Sequence, residues 1–170
     1  MSVSENLTKV REEINEAARR AGRDPGDVTL IAVSKTKPVS LIKEAVAAGA
    51  ADLGENKPQE ITAKYPEFEG DNVRWHMIGH LQKNKVRHII DKVELIHSVD
   101  SVELAEEINK RAAAIDKIQK ILIQVNVTGE DSKSGISPQD TEELCRRISE
   151  LDNVRIMGLM TISVNGYTYE

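Results

Sequence analysis

One cysteine, one tryptophan and one phenylalanine occur in 170 residues, and aromatics reach only 3%. A lone cysteine excludes an internal disulfide framework and a cysteine-rich zinc site. No apolar run approaches the roughly 18–20 residues that a membrane helix needs, so no membrane span is expected. The opening MSVSENLTKVREE is polar and charged rather than a secretory leader, which makes a reducing cytoplasm the expected location. Low-complexity tracts, linkers and internal repeats are also missing. Positive charge is not in excess: 23 Lys and Arg against 28 Asp and Glu leave a net charge of −5. That balance favours solubility and argues against a nucleic-acid surface. What is present, 39% hydrophobic and 30% charged residues, suits a single folded domain over 1–170.

The apolar residues fall into helices and strands in alternation. Val3, Leu7, Val10, Ile14, Ala17, Ala18 and Ala21 recur at steps of three and four, which predicts a helix over 3–21. Ser2 and Glu5 form a candidate capping box, and Gly22 followed by Pro25 ends the helix. VTLIAVS (28–34) is a continuous, β-branched run, the pattern of a strand buried on both faces in a parallel sheet. Further strands are expected at 51–53, 73–78, 93–97, 121–127 and 154–161. Helices are expected at 41–48 (capped by Ser40), 56–64, near 82–90, after Asp100 and Glu103, and after Ser137 and Pro138. This alternation defines an α/β fold with parallel crossovers. Composition alone leaves an open doubly wound sheet and a (β/α)-barrel both standing. A complete eight-unit barrel takes about 250 residues, and at least roughly 200. If the fold is a barrel, 170 residues carry it only to about its sixth strand.

Lys35 is the most informative candidate. It follows the 28–34 run directly and has the parity of Ile31 and Val33. Partial burial there would favour the neutral amine, the form that builds a Schiff base. C-terminal strand ends are also where α/β folds bind ligands. The alternative is a lysine reaching into solvent. In GENKPQE (54–60), Gly54 permits a turn, and Asn56 offers donor and acceptor atoms or a helix cap. His76 and His80 are four apart in WHMIGHLQKNK, but a strand placement separates them by about 13 Å, so a zinc site is not favoured. Lys83, Lys85 and Arg87 read as an anion site or, more simply, as a solvated basic face. DSKSGI (131–136) places a second amine, Lys133, among Ser and Gly residues that can aim backbone donors at an anion. Cys145, between Leu144 and Ile148, reads as core packing.

Taken in order, AVSKTKP, GEN..QE, WHMIGHLQKNK, NVTGEDSKSGI and RIMGLMTIS resemble the pyridoxal phosphate homeostasis family, which is related to the barrel of alanine racemases. The match runs from about residue 28 to 162. The resemblance implies a (β/α)8 TIM-type barrel, here truncated after about the sixth strand, carrying pyridoxal 5′-phosphate as a lysine aldimine. It implies a part in vitamin B6 and amino-acid homeostasis without established catalytic turnover. Lys35 inherits the Schiff-base role, and Asn56 a place near the cofactor ring. His76 and Gly79 match the strand and turn beside it, and Lys133 a loop lysine for secondary contact or exchange. The partners implied are the small-molecule cofactor and apo-enzymes that depend on it. Lys57 and Pro58 depart from the family's GENYVQE, and Pro58 fits a first helical turn. The family's phosphate cup comes from segments after the sixth strand. A racemase-like enzyme is the alternative; racemisation needs a second base, which racemases take from an added β-domain. A barrel that forms a Schiff base with a sugar or phosphate substrate is a third reading.

Overall fold

The computed structural model describes residues 2–129 and 134–162. Helix α1 spans Val3–Arg20, and its start is the capping box read from sequence. The Ser2 hydroxyl accepts from the Glu5 N–H at 3.2 Å, and the Glu5 carboxylate accepts from the Ser2 N–H at 2.7 Å. The inward stripe is Val3, Leu7, Arg11, Ile14 and Ala18, whereas Val10 is 41% exposed. Arg11 takes a stripe position because its guanidinium donates to the carbonyls of Ala48 and Gly49, at 3.1 and 2.5 Å.

Six strands then form one sheet in the order β1-β2-β3-β4-β5-β6, every neighbouring pair parallel. They are β1 (Ala32–Val33), β2 (Asp52–Glu55), β3 (Arg74–Met77), β4 (Val93–Val99), β5 (Gln119–Gln124) and β6 (Val154–Met160). Helices α2 (Val39–Ala47), α3 (Pro58–Lys64), α4 (Val102–Ala113) and α5 (Thr141–Ile148) join them, with a 3₁₀ helix (Lys83–His88) between β3 and β4. Each parallel pair needs such a crossover, which is why the elements alternate.

Register divides the sheet into two faces. Leu53 pairs with Trp75, Met77 with Ile96, and Ile96 with Ile121, so these side chains share one face. All are buried, and Ile42, Ile61, Leu104, Ile108 and Ile148 from the helices complete the core against them. The opposite face carries Asp52, Arg74 and His76, with His97 reached across β4. That inner face is polar, and it is where the site lies.

Several local expectations shift. β1 has only two ladder residues, and Val33 is 49% exposed, so 28–34 is not a strand buried on both faces. Among the described residues it lies at the sheet's edge, with a neighbour on one side only. Ser40 lies inside α2, whose N-cap is Pro38. α4 is capped by Ser101, not Asp100, and α5 starts at Thr141, beyond Ser137 and Pro138. The 82–90 segment is a 3₁₀ helix over Lys83–His88. Gly54 lies within β2 rather than in a turn; a Cβ there would stand 3.0 and 3.1 Å from Ile31 and Ile78 methyl carbons. Pro58 does open α3, and Cys145 packs against the core. Among the described residues, no helix is long and apolar enough to cross a membrane.

Candidate functional site

The C-terminal ends of the strands surround a cavity of about 500 Å³. Lys35 enters it from beyond β1, Asn56 from the residue after β2, and Gly79 and His80 from beyond β3. His97 of β4 and Gln124 at the end of β5 line the opposite wall. Three expected site residues, Lys35, Asn56 and Gly79, therefore meet at one place. Lys133 lies outside the described residues, although Ser134, its neighbour in the same loop, reaches the cavity.

Lys35 is exposed, which overturns the partial burial expected of it. The strand before it is an edge and supplies too few neighbours to enclose the amine. Among the described residues, no hydrogen bond or ion pair engages its Nζ. Gly79 permits a close approach: a Cβ at that position would lie 2.7 Å from the Asn56 Cα. Backbone and side chain at residue 79 cannot both occupy this space, so glycine keeps Asn56 at the wall.

His76 does not line the cavity but stands behind His97. Its Nε2 lies 2.9 Å from Oδ1 of Asp52, and its Nδ1 lies 3.0 Å from Nε2 of His97. Asp52 in turn accepts two guanidinium hydrogen bonds from Arg74, at 2.7 and 2.6 Å. The Arg74 bonds are the leading reason that the Asp52 carboxyl sits below the usual carboxylate range; burial opposes them and the His76 contact reinforces them. A carboxylate accepts, so the bond to Asp52 fixes a proton on Nε2 of His76. Burial, reinforced by the neighbouring His76, pushes the His97 imidazole down to about 4, and at pH 7 it is neutral. Nδ1 of His76 and Nε2 of His97 share a single hydrogen bond, whose direction follows the protonation of the two rings. The chain Arg74–Asp52–His76–His97 thus links the sheet's N-terminal end to the cavity wall.

Beyond β5 the chain folds back. Asn126 donates its N–H to the Ile136 carbonyl at 2.8 Å, and Ile136 donates to Gln124 at 2.9 Å. The Gln124 amide donates to the Ser134 carbonyl at 3.1 Å. This return places Gln124, Asn126 and Ser134 together at the rim. Lys83 and Arg87 are exposed on the 3₁₀ helix, as expected of a solvated basic face.

Sequence reading missed His97, Gln124 and Asn126. A histidine before SVD at the end of an apolar strand was the available signal for His97. Its link to His76 spans 21 residues and passes through a register shift between Trp75 and His76.

Comparison with known proteins places this geometry in context. The family model for the alanine racemase N-terminal domain matches residues 6–167. The pyridoxal phosphate homeostasis protein of Pseudomonas aeruginosa is 44% identical over 161 residues, covering 95% of this chain and 70% of that one. Its counterpart from Escherichia coli K12 is 41% identical, covering 94% and 70%. Among solved structures, PipY of Synechococcus elongatus with pyridoxal phosphate bound is 36% identical, with a TM-score of 0.84 over 98% of this chain and 73% of that chain. An alanine racemase of Clostridium difficile superposes with a TM-score of 0.67 at 15% identity, covering 79% and 36%, a likeness of fold alone. The six parallel strands are accordingly those of the alanine racemase N-terminal domain fold, and the chain spans about 70% of the length of the curated relatives it matches.

Proposed function

The chain belongs to the alanine racemase N-terminal domain family, among the pyridoxal phosphate homeostasis proteins, and from that premise we propose that it holds pyridoxal 5′-phosphate on Lys35 in the service of vitamin B6 and amino-acid homeostasis. One observation carries the reading. Lys35 offers an amine with no partner among the described residues to a cavity of about 500 Å³ at the C-terminal strand ends. That volume lies within the roughly 300–1,000 Å³ typical of small-molecule sites. When bound, the cofactor supplies an aldehyde for a lysine amine to condense with.

The residues present suit such a ring. Asn56 and Gln124 bring amide donors and acceptors to the wall, and His97 brings a neutral imidazole. His76 acts through its hydrogen bond to His97 rather than by direct contact. Gly79 keeps the Asn56 backbone close. Lys133 remains the proposed lysine for secondary contact or exchange. The proposed setting is the cytoplasm, and the proposed recipients are apo-enzymes that use the cofactor.

We further propose that the protein holds the cofactor without racemase turnover. The support is that relatives at 37–44% identity bear the homeostasis name, while the alanine racemase of Clostridium difficile is 15% identical. Two measurements test the reading. Condensation with pyridoxal phosphate releases water and leaves a C=N bond, to which borohydride adds hydride, giving a secondary amine that survives digestion. Peptide mapping is expected to find the pyridoxyl group on Lys35; its absence there, with Lys133 labelled instead, defeats the assignment. Alanine racemisation by the loaded protein is expected to stay at the free-cofactor background. Turnover in the common range of about 1–1,000 per second would establish the racemase alternative.

A further inference from the structure

The turn that bears Lys35 is fastened on its helix side by charged groups with no place in the cavity. Ser34 is buried, and its hydroxyl donates to Oε1 of Glu55 at 2.7 Å. Its carbonyl accepts from Nζ of Lys64 at 2.9 Å. Lys64 also donates to Oε1 of Glu55 at 2.7 Å and to Oε2 of Glu60 at 2.8 Å. Glu60 Oε2 then accepts the N–H of Thr36 at 2.9 Å. The residues immediately before and after Lys35 are therefore tied to one cluster, built from the end of β2 and from α3.

Two signs of strain mark this cluster. Thr36 has a φ of 63°, a left-handed conformation that a β-branched residue avoids. Such a conformation persists only where its surroundings over-determine it, and it concentrates at functional sites. The second sign is Oε2 of Glu55, which is buried without a hydrogen-bond partner among the described residues. Burial pushes the Glu55 carboxyl up, and hydrogen bonds from Lys64 and Ser34 oppose it. Buried ion pairs are often no more stabilising than apolar residues of the same volume, so stability alone is a weak reason for this cluster.

Geometry supplies a better reason. Lys35 lines the main cavity, whereas Lys37 lines a separate pocket beside Val3, Leu41 and Ile42. The left-handed turn at Thr36 lies between the two lysines. We propose that Glu55, Glu60 and Lys64 are positioning residues that lock this turn, so that Lys35 and not Lys37 presents its amine to the cavity. The proposal rests on the pyridoxal phosphate reading above. It also accounts for both glutamates of the GEN..QE motif, which flank Asn56 without reaching the cavity.

The test is the partition of borohydride-trapped pyridoxyl groups between Lys35 and Lys37, measured by peptide mapping with limiting pyridoxal phosphate. Glu60→Ala is the first variant, because the Glu60 side chain is 23% exposed and its loss leaves the core intact. The Lys35-to-Lys37 ratio is expected to fall roughly tenfold, equivalent to about 1.4 kcal/mol. Glu60→Gln keeps an oxygen for the Thr36 N–H and is expected to restore most of the ratio. Lys64→Met should repeat the loss. Thr36→Gly added to Glu60→Ala should recover part of it, since glycine adopts the left-handed turn without help. Thermal unfolding of each variant checks that the fold survives. An unchanged ratio in folded Glu60→Ala and Lys64→Met overturns the clamp and leaves the cofactor reading standing. No adduct on Lys35 of the unaltered chain overturns the cofactor reading, and the clamp with it.

Discussion

β3 and β6 are both parallel strands, yet they stand in opposite conditions. On β3, Trp75 and Met77 are 2% and 0% exposed; on β6, Met157 and Leu159 are 52% and 61% exposed. β3 has strands on both sides and helices over its outer face, whereas among the described residues β6 pairs with β5 alone. The enclosed strand can also keep a polar residue inside. His76 is buried because Asp52 and His97 satisfy both ring nitrogens. A strand's apolar content therefore says little about its burial; its neighbours decide. The same rule explains why Lys35, beside the edge strand β1, is exposed while His97 is shielded.

Shortening one side chain on each strand has the largest expected effect. Met77→Ala is expected to cost about 2–5 kcal/mol, the usual range for a fully buried side chain. Leu159→Ala is expected to stay within about 0.5 kcal/mol, as for an exposed site. Urea unfolding of both variants measures the contrast, and equal costs would show that β6 is as well packed as β3.

Acid acts on the buried polar residues of the enclosed strands. His97 titrates at about 4 in the folded chain against 6.5 for the free side chain. Below 6.5 the unfolded chain takes up a proton that the folded one refuses. Stability is therefore complete above pH 6.5 and falls as the pH drops toward 4. At about 1.36 kcal/mol per pH unit, the loss is on the order of 3 kcal/mol. His76 and Asp52 face the same ring system, and Asp52 loses its contribution only below its unfolded value of 3.8. His97→Gln is expected to flatten the stability profile between pH 6.5 and 4; an unchanged slope would place the acid sensitivity elsewhere.

Smaller effects come from the margins of the polar chain. The Arg74 side chain is 51% exposed, so water screens its pair with Asp52. Arg74→Ala is expected to cost about 0.5–1 kcal/mol in denaturant unfolding, more at low salt than at high. Thr36→Gly relieves the left-handed strain but adds unfolded-state freedom, leaving an expected net gain of about 0.5 kcal/mol. A clear loss on that substitution would mean that the threonine side chain itself supports the turn.

Much of this was legible beforehand where the interactions are local. The Ser2–Glu5 capping box and Pro58 at the head of α3 depend on residues three or fewer positions apart, and both form as read. The alternation of strand and helix was legible for a related reason, since periodicity and turn residues act within single elements. The motif order added Lys35, Asn56 and Gly79, which meet at one cavity. The stripe of α1 was misread at Val10 because Arg11 finds its partners 37 and 38 residues away.

The elements, their order and the amine at the end of the first strand follow from local sequence, because short-range sterics and hydrogen bonding set these. What each side chain meets depends on the assembled fold. Gln119 and Ser98 are buried while Val33 is exposed, an outcome that composition would reverse. His76 and His97 touch only because adjacent strands set them on one face, with His97 two residues beyond Leu95, the register partner of His76, and Lys64 reaches Ser34 only because α3 packs behind β2. Register, bulges and sheet edges are collective properties of several strands, and no single segment contains the information that sets them.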